Sequence, residues 1–381
     1  MSFPGAGVDS GSACPDCLRR AWLVARLGVW IQTACDDLPG RRTPELLRLS
    51  SESLVEAVAA KKDDEILEWN TALGEGEMRA AIFNADCWCC CRHDESFPVG
   101  LRDGADAPPV LIGRGGAIRL RDLELENSVT VVGARKATGY GLEMAATLGR
   151  ELAVAGLNVI SGMALGIDGA VHRGSLEVGP TIAVLGCGPD RPYPASHARL
   201  YGRIVERGLV VSEVPPGAEA WRWSFPARNR IMAALAGMTV VVEAASRSGS
   251  LITAEMASDA GRDVGAVPGL ATSRVAVGPN ELIASGAALI RSGADVIDRM
   301  PGATVGEPLF GPEVEPGQAA LLAAVEAGCR TVEEIAREAG SEVGEAARGV
   351  ALLEVKGYLK SGATGTWSRT SLAPYPSERR D

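Results

Sequence analysis

The chain of 381 residues lacks a long hydrophobic run, because no apolar stretch approaches the roughly 20 residues that a membrane-spanning helix needs. Neither the basic start nor the apolar core of a secretory signal is present in its first residues, MSFPGAGVDSGSACPDC. With 46% hydrophobic and 23% charged residues, the composition is that of a globular protein long enough for two or three domains. We therefore expect a cytoplasmic protein with no membrane contact.

A surplus of positive charge is also missing, since the net charge is −10. The stretch 128–300 is the exception, with 16 basic and 15 acidic residues, and many of its basic residues fall in loops. Charges farther away than a Debye length of about 8 Å are screened at physiological salt. A local positive groove is therefore compatible with an acidic chain, whereas broad binding of duplex DNA is not favoured.

Four glycine-bearing turns between residues 128 and 270 each follow an apolar run and precede a helical one. The apolar runs VTVV, LNVI, TIAVLG and VVVE lack apolar/polar alternation, which is typical of strands buried on both faces of a parallel sheet. The repeated strand-helix order predicts an α/β protein with a Rossmann-like, doubly wound, mostly parallel sheet. In such sheets ligands bind beyond the carboxyl ends of the strands, where helix N-termini favour anions.

The first turn, GARKATGYG, is not the GxGxxG fingerprint of dinucleotide-binding proteins, and no acidic residue ends the second strand to hold a ribose. We therefore expect no NAD and no other cofactor. Instead, Arg135 stands beside Gly133, so a guanidinium can hold a phosphate where the backbone approaches closely. The second and fourth turns add hydroxyls, amides and a further arginine, namely Ser161 and Gly162, and Arg247, Ser248, Gly249 and Ser250.

Eight motifs occur in register between about 93 and 300, and together they resemble the DNA-processing protein A (DprA, also called Smf) family. They read VVGARKATGYG, SGMALGIDGAVHRGSL, TIAVLGCG with YP, VSEVPPG, FPARNRIMAALAG, VVVEAASRSGSLITAEMA, GRDVGAVPG and GPNELIASGA. The resemblance implies a non-catalytic protein that binds single-stranded DNA and forms a homodimer through this domain. It also implies that the protein protects incoming DNA and helps to load a RecA-like recombinase, in the natural transformation of competent cells or in DNA recombination. It also implies a phosphate-binding rim of Arg135, Ser161, Gly162, Arg228, Asn229, Arg230, Ser248, Gly249 and Ser250, to which the turns add Gly133, Lys136 and Arg247.

Three aromatic residues, Trp221, Trp223 and Phe225, lie just before the arginines at 228 and 230. Aromatic rings beside guanidinium groups are typical of single-strand grooves, in which bases stack on rings while phosphates meet the arginines. The alternative is an ordinary anchoring role in the core. We favour that alternative for Phe225, and both interpretations remain open for the tryptophans.

An enzymatic function is the rival hypothesis. The segment RSGSLITAE is faintly similar to the GGxGTxxE turn of cytokinin-activating phosphoribohydrolases. On this hypothesis, Glu255 of the present chain would assist cleavage of a glycosidic bond. Ser-Gly replaces Gly-Gly, and Leu replaces Thr, which argues against it. Asp168 and His172 share one helical face, but no nucleophile accompanies them, so we expect structural roles for both.

Nine cysteines raise the question of a metal. Cys14 and Cys17 form a CxxC pair, and a second cluster, with Cys35 between the two, comprises Cys87, Cys89, Cys90, Cys91 and His93. A tetrahedral zinc site could be assembled from these residues, but the spacing is not that of a standard zinc finger. We therefore favour reduced thiols in or near a core, and we predict no metal.

The predicted domains are a small helical domain at 1–92, the DNA-binding α/β domain at 93–300, a Pro/Gly-rich linker at 301–317, a winged-helix-like domain at 318–372 and a tail at 373–381. The candidate recognition helix of the winged-helix-like domain is acidic, and an acidic helix is a poor insert beside phosphates. We expect that domain to contact protein, with weak DNA contact by Lys360 and Arg369 in its wing.

Overall fold

The computed structural model describes residues 13–37, 43–59, 61–102, 104, 106–116, 120, 122–303, 312, 314–362 and 365–369. The chain forms two compact units, residues 1–304 and 305–381. The predicted tail at 373–381 lies outside the described residues, as do residues 304–311 and 313 of the predicted linker. No helix in the described ranges is both long enough and apolar enough to cross a membrane.

Short helices build the N-terminal region, as the sequence predicts. The first helix begins at Pro15, where the missing backbone N–H costs nothing, and Asp16 lies in its first turn. Its apolar side packs with later helices around the buried Leu23 and Leu27. The helices of this region are Pro15–Arg26, Gly28–Asp37, Thr43–Arg48, Ser51–Ala59, Asp63–Ala72 and Glu75–Asn84.

A nine-stranded sheet in the order β1-β2-β6-β5-β4-β3-β7-β8-β9 forms the centre of the first unit within the described residues. Strands β3 to β9 pair in parallel, whereas β1 and β2 are antiparallel additions at one edge. This confirms the predicted Rossmann-like, mostly parallel α/β fold. The strands are β1 (Trp88–Cys91), β2 (Val110–Gly115), β3 (Ser128–Val132), β4 (Asn158–Ser161), β5 (Ile182–Val184), β6 (Leu209–Ser212), β7 (Met238–Val241), β8 (Asp263–Ala266) and β9 (Ala288–Leu289).

Helices cover both faces of the sheet, which is why all five residues of β3 are buried, the polar ones included. One face packs against Leu148 and Val171, and the other against Ile231 and Ala254. The helices of this region are Val99–Arg102, Gly139–Val154, Ile167–Val178, Ala198–Arg207, Ser224–Leu235, Gly249–Asp259, Val277–Ala284 and Gly293–Ile297.

Strand β1 lies on the N-terminal side of the domain boundary that we predict at 92/93, yet it pairs with β2, from Trp88 against Gly113 to Cys91 against Val110. The cysteine run at 89–91 is therefore an edge strand of the sheet. Residues before the predicted boundary are thus part of the α/β layer, and the N-terminal helices are continuous with it.

The second unit contains the helices Pro316–Glu326, Val332–Ala339 and Val343–Val355, followed by the antiparallel ribbon of β10 (Leu359–Ser361) and β11 (Trp367–Arg369). Thr331 and Glu334 form a capping box at the second of these helices. The element order is the predicted one, and the winged-helix assignment itself stays a prediction. In this ribbon, Arg369 pairs with Glu326 at 2.8 Å.

Candidate nucleic-acid interface

The first turn is fixed by its two neighbouring strands. Thr138 caps the helix that follows by accepting a hydrogen bond from the Gly141 amide at 3.1 Å. Glu243, just after β7, accepts bonds from the Thr138 amide at 2.9 Å and from its hydroxyl at 2.5 Å. A Cβ at Gly141 would lie 2.3 Å from a carboxylate oxygen of Glu243, so a side chain there would displace this carboxylate from Thr138. The turn is therefore held rigidly at the carboxyl end of β3.

The second turn packs directly against the first. The Ile167 amide donates to the Ala134 carbonyl at 3.2 Å. Gly166 has φ of 78°, and a Cβ on it would lie 2.2 Å from the same carbonyl oxygen. A Cβ on Gly133 would lie 2.6 Å from the Ile167 side chain. These glycines thus allow the two turns to meet without a gap.

Arg228 fills the space beneath these turns. Its Nη1 donates to the carbonyls of Gly162 and Val184, both at 2.5 Å, and its Nη2 lies 4.0 Å from Asp168 Oδ2. Burial lowers the pKa of Arg228 and raises the pKa of Asp168, while their opposite charges oppose both shifts. A Cβ on Gly162 would lie 2.0 Å from Nη1. The absence of a side chain at Gly162 therefore leaves the space that the Arg228 guanidinium occupies.

Above Arg228 lies a cleft of about 860 Å³, bounded by the turns that follow β3 and β7 and by the start of the helix Ser224–Leu235. Among the described residues that line it, the only carboxylate is the buried Asp168. Five further lining residues are basic and exposed, namely Arg135, Lys136, Arg222, Arg247 and Arg274. The cleft is therefore strongly positive, and its ligand is expected to be an anion.

The helix Gly249–Asp259 opens onto this cleft with its N-terminus. The Ser248 hydroxyl lies 2.7 Å from the Ser250 hydroxyl and caps the helix. Asn229 links the helix to the floor, because its Nδ2 donates to the Gly249 carbonyl at 3.3 Å and its Oδ1 accepts from Arg228 Nε at 3.0 Å. The first-turn amides and the hydroxyls together form a seat suited to a phosphate.

Aromatic rings line one wall of the cleft. The rings of Tyr193 and Phe225 have centroids 5.3 Å apart, and the Arg135 guanidinium lies 5.2 Å from the centre of the Phe225 ring. Tyr193 is 44% exposed, so its ring is accessible to a ligand. Phe225, for which we favoured an anchoring role in the core, is half-buried and lines the cleft. Tyr193, Arg222 and Arg274 are cleft residues that the sequence reasoning missed.

The two tryptophans, in contrast, hold the N-terminal helices. Trp223 is buried, and its Nε1 donates to the Gly28 carbonyl at 2.9 Å. Trp221 packs so closely on Gly28 that a Cβ there would lie 2.4 Å from the Trp221 Nε1. Neither tryptophan lines the cleft. Of the two interpretations left open for them, the structure favours the anchoring role.

Most of the predicted rim residues converge on the cleft. Ser161, Gly162 and Arg230 do not line it. The Ser161 hydroxyl is buried and donates to the Val131 carbonyl at 2.7 Å, and buried Arg230 pairs with Glu213. Those that line it are Gly133, Arg135, Lys136, Arg228, Asn229, Arg247, Ser248, Gly249 and Ser250.

The candidate catalytic groups do not assemble in the cleft. His172 is fully buried away from it, with Nδ1 2.8 Å from the Thr181 hydroxyl. Burial first, and then nearby positive charges, lower its pKa to about 3, so it is neutral. Glu255 lines a separate groove with Ser258 and Arg262. The expected structural role of His172 agrees with these contacts, and the glutamate of the rival hypothesis does not line the cleft.

A doubly wound sheet with a cationic cleft at its strand ends defines a Rossmann-like α/β protein whose cleft is suited to an anion. The comparisons with known proteins then specify the family. The chain belongs to the DNA recombination-mediator protein A family, whose model matches residues 88–301. The resemblance inferred from the eight motifs is thereby confirmed.

Named relatives agree with this assignment. The putative DNA processing protein DprA of Mycobacterium tuberculosis is 40% identical over 271 residues, which cover 68% of each chain. The DNA processing protein DprA of Streptococcus pneumoniae is 41% identical over 209 residues, covering 54% of this chain and 71% of the relative. An X-ray structure of the Streptococcus pneumoniae protein superposes with a TM-score of 0.59 at 30% identity and covers 76% of this chain and 99% of its own.

Proposed function

We propose that the cleft binds single-stranded DNA without catalysis and with little sequence preference. The observation that carries this proposal is the convergence of five exposed cationic side chains around one buried carboxylate. Phosphates would contact Arg135, Lys136 and Arg247, with one phosphate on the amides that follow Ser248. The chain's net charge of −10 is no obstacle, because these contacts act within a Debye length of about 8 Å.

The aromatic wall favours a single strand over a duplex. Base stacking on an aromatic side chain contributes about 1–3 kcal/mol per base, and it requires a base whose face is open. Tyr193 and Phe225 present such a surface at the same wall that carries Arg135. A strand with splayed bases can therefore place a base on Tyr193 and its phosphate near Arg135, whereas paired bases cannot reach the ring.

Salt dependence tests the proposal. Each phosphate contact to a single strand contributes about −0.7 to the slope of log K against log salt, so five contacts predict a slope of about −3.5. Arg135→Ala is expected to flatten the slope by about 0.7 and to weaken binding about tenfold. Fluorescence anisotropy with labelled single- and double-stranded oligonucleotides measures both.

Arg299→Ala is the matched control. Arg299 is an exposed arginine of the same unit, but it lines the separate groove that contains Glu255. Its substitution is expected to leave the affinity and the slope unchanged. Equal effects of the two substitutions, or tighter binding of duplex than of single strands by the unsubstituted protein, would contradict the proposal.

We further infer a homodimer and the transfer of the bound strand to a RecA-like recombinase, in natural transformation or general recombination. This step rests on membership of the recombination-mediator family. Light scattering of the purified chain is expected to give twice the monomer mass, and a pull-down is expected to retain the recombinase. A monomer, or a pull-down without recombinase, would count against the respective step.

The phosphoribohydrolase alternative is not favoured, because Glu255 lies outside the cleft in which a nucleotide phosphate would bind. Incubation with nucleoside monophosphates is expected to release no free base. Release of base that is lost in Glu255→Gln would restore the enzymatic hypothesis.

A further inference from the structure

Four potential metal ligands meet where the first helix touches the edge of the sheet. Cys14 is the N-cap of the helix Pro15–Arg26, and Cys17 lies in its first turn. Cys91 is the last residue of β1, and His93 lies in the turn that follows. The three sulfur atoms and one imidazole nitrogen all lie within 4.8 Å of one another. Two segments more than 70 residues apart in the sequence thus present their ligands to one point.

The spacing of these atoms matches a tetrahedral zinc site. His93 Nδ1 lies 3.5 Å from Cys14 Sγ, 3.7 Å from Cys17 Sγ and 3.8 Å from Cys91 Sγ. With Zn–S bonds of about 2.3 Å and Zn–N bonds of about 2.05 Å, tetrahedral angles place nitrogen and sulfur about 3.6 Å apart. One nitrogen atom at nearly equal distance from three sulfurs is the arrangement expected around a shared cation.

The surroundings favour thiolates. Cys14 lies at a helix N-terminus, where backbone N–H groups and the helix dipole stabilise negative charge. The Cys14 amide donates to Cys91 Sγ at 3.4 Å.

We propose that Cys14, Cys17, Cys91 and His93 bind one Zn²⁺ as a structural site, with His93 coordinating through Nδ1. Four protein ligands complete the coordination sphere and leave no position for a substrate, so the ion has no part in a reaction. The proposal replaces our expectation of reduced thiols without metal for these three cysteines.

The site would join the N-terminal helices to the sheet. β1 is an edge strand, and the helix Pro15–Arg26 reaches it through a small apolar cluster that includes Leu18, Ile82 and Ile112. Zinc would add a cross-link between residues 14 and 93 beside that cluster. Because a structural metal binds only the folded site, its binding free energy stabilises this junction directly.

Metal analysis of the full-length protein, purified without added metal or chelator, tests the proposal. We expect about one zinc per chain, and Co²⁺ exchanged into the site is expected to show the visible absorption of tetrahedral thiolate coordination. Cys91→Ser and His93→Ala are expected to lose most of the zinc. Cys89→Ser is the matched control, because Cys89 is a buried cysteine of the same strand and the same apolar cluster but lies outside the four ligands.

Removal of zinc from the unsubstituted protein gives a second readout that does not depend on how the variants fold. A strong chelator is expected to lower the thermal midpoint, and added Zn²⁺ is expected to restore it. Protein without zinc that also gives no cobalt–thiolate absorption would overturn the proposal. A disulfide between two of the three cysteines in the purified protein, or equal zinc loss in Cys89→Ser, would overturn it as well.

Discussion

Acidification should destabilise the α/β unit through one buried histidine. His172 Nδ1 lies 2.8 Å from the Thr181 hydroxyl, which itself donates to the Val159 carbonyl at 2.9 Å. The imidazole therefore donates from Nδ1, and its Nε2 is buried with no hydrogen-bond partner among the described residues. Burial first, and then the positive charges of His197, Arg228 and Arg173, lower the pKa of His172 from 6.5 to about 3.

The direction and size of the effect follow from linkage. Because the folded pKa is lower, the unfolded chain binds more protons, so the stability from this group is complete above pH 6.5 and is lost as the pH falls from 6.5 towards about 3. At about pH 5.5 the imidazole is about 90% protonated in the unfolded chain and neutral in the folded one. This difference lowers the free energy of unfolding by about 1.4 kcal/mol. At about pH 4.5 the cost reaches about 2.7 kcal/mol.

Urea unfolding at about pH 7.5 and about pH 5.5 measures this cost. Six of the seven tryptophans precede residue 304, so their fluorescence reports on the unit that contains His172. The unsubstituted protein is expected to lose about 1.3 kcal/mol more between these two pH values than His172→Gln does. His197→Gln should retain the response of the unsubstituted protein. Equal losses in the unsubstituted protein and His172→Gln would refute a neutral, buried His172.

Two further substitutions test the floor of the cleft and the anchoring of the N-terminal helices. Gly162→Ala places a Cβ where it would lie 2.0 Å from Arg228 Nη1. Displacement of this buried cation should lower the free energy of unfolding by about 3 kcal/mol or more. The control Gly139→Ala should be nearly neutral, because a Cβ on Gly139 meets nothing within 4 Å. A thermal midpoint unchanged by Gly162→Ala would be inconsistent with the close packing of the Arg228 guanidinium on Gly162. Trp223→Phe removes the hydrogen bond to the Gly28 carbonyl, so the free energy of unfolding in urea should fall by about 1 kcal/mol. Proteolysis in the N-terminal helices should become faster. Unchanged proteolysis would argue against an anchoring role of Trp223.

The sheet could be predicted from the sequence because the apolar runs of its strands indicate burial on both faces. At the end of β7, Val240, Val241 and Val242 are consecutive, apolar and buried. That pattern does not alternate, which requires cover on both faces, and a helical run follows each such strand. The edge strand β1 escaped prediction, because cysteines at 89–91 carry no comparable strand signal and their partner strand follows a helix and a loop.

The members of the site were harder to assign, because sequence spacing does not give side-chain direction. Arg228 and Arg230 are two residues apart in one helix, so their side chains leave it about 200° apart. Only one of them can face the cleft. Arg228 forms its floor, while Arg230 turns to Glu213. Helical geometry alone therefore excludes a joint phosphate contact by both residues, although it does not say which of them is excluded.

The same reasoning applies to the aromatic residues before that helix. Trp223 and Phe225 are two residues apart, and they serve the N-terminal helices and the cleft, respectively. The second ring, Tyr193, comes from a loop 32 residues earlier in the chain. The fold brings the two rings together, and no local pattern connects them. Assigning them to one wall requires the strand order, in which β5 and β6 lie between β2 and β4.

An acidic chain with a basic cleft has consequences for how it would bind DNA. Attraction over long distances follows the net charge, which is −10, whereas contact follows the five exposed cations of the cleft. With a Debye length of about 8 Å, a strand gains little favourable electrostatic energy until it reaches the cleft. Substitutions of cleft arginines should therefore act mainly on dissociation, because the favourable contacts form only after encounter. The repulsion outside the cleft also discourages adsorption of a duplex over the surface. In this way the charge distribution favours a single strand, which can enter the concave site.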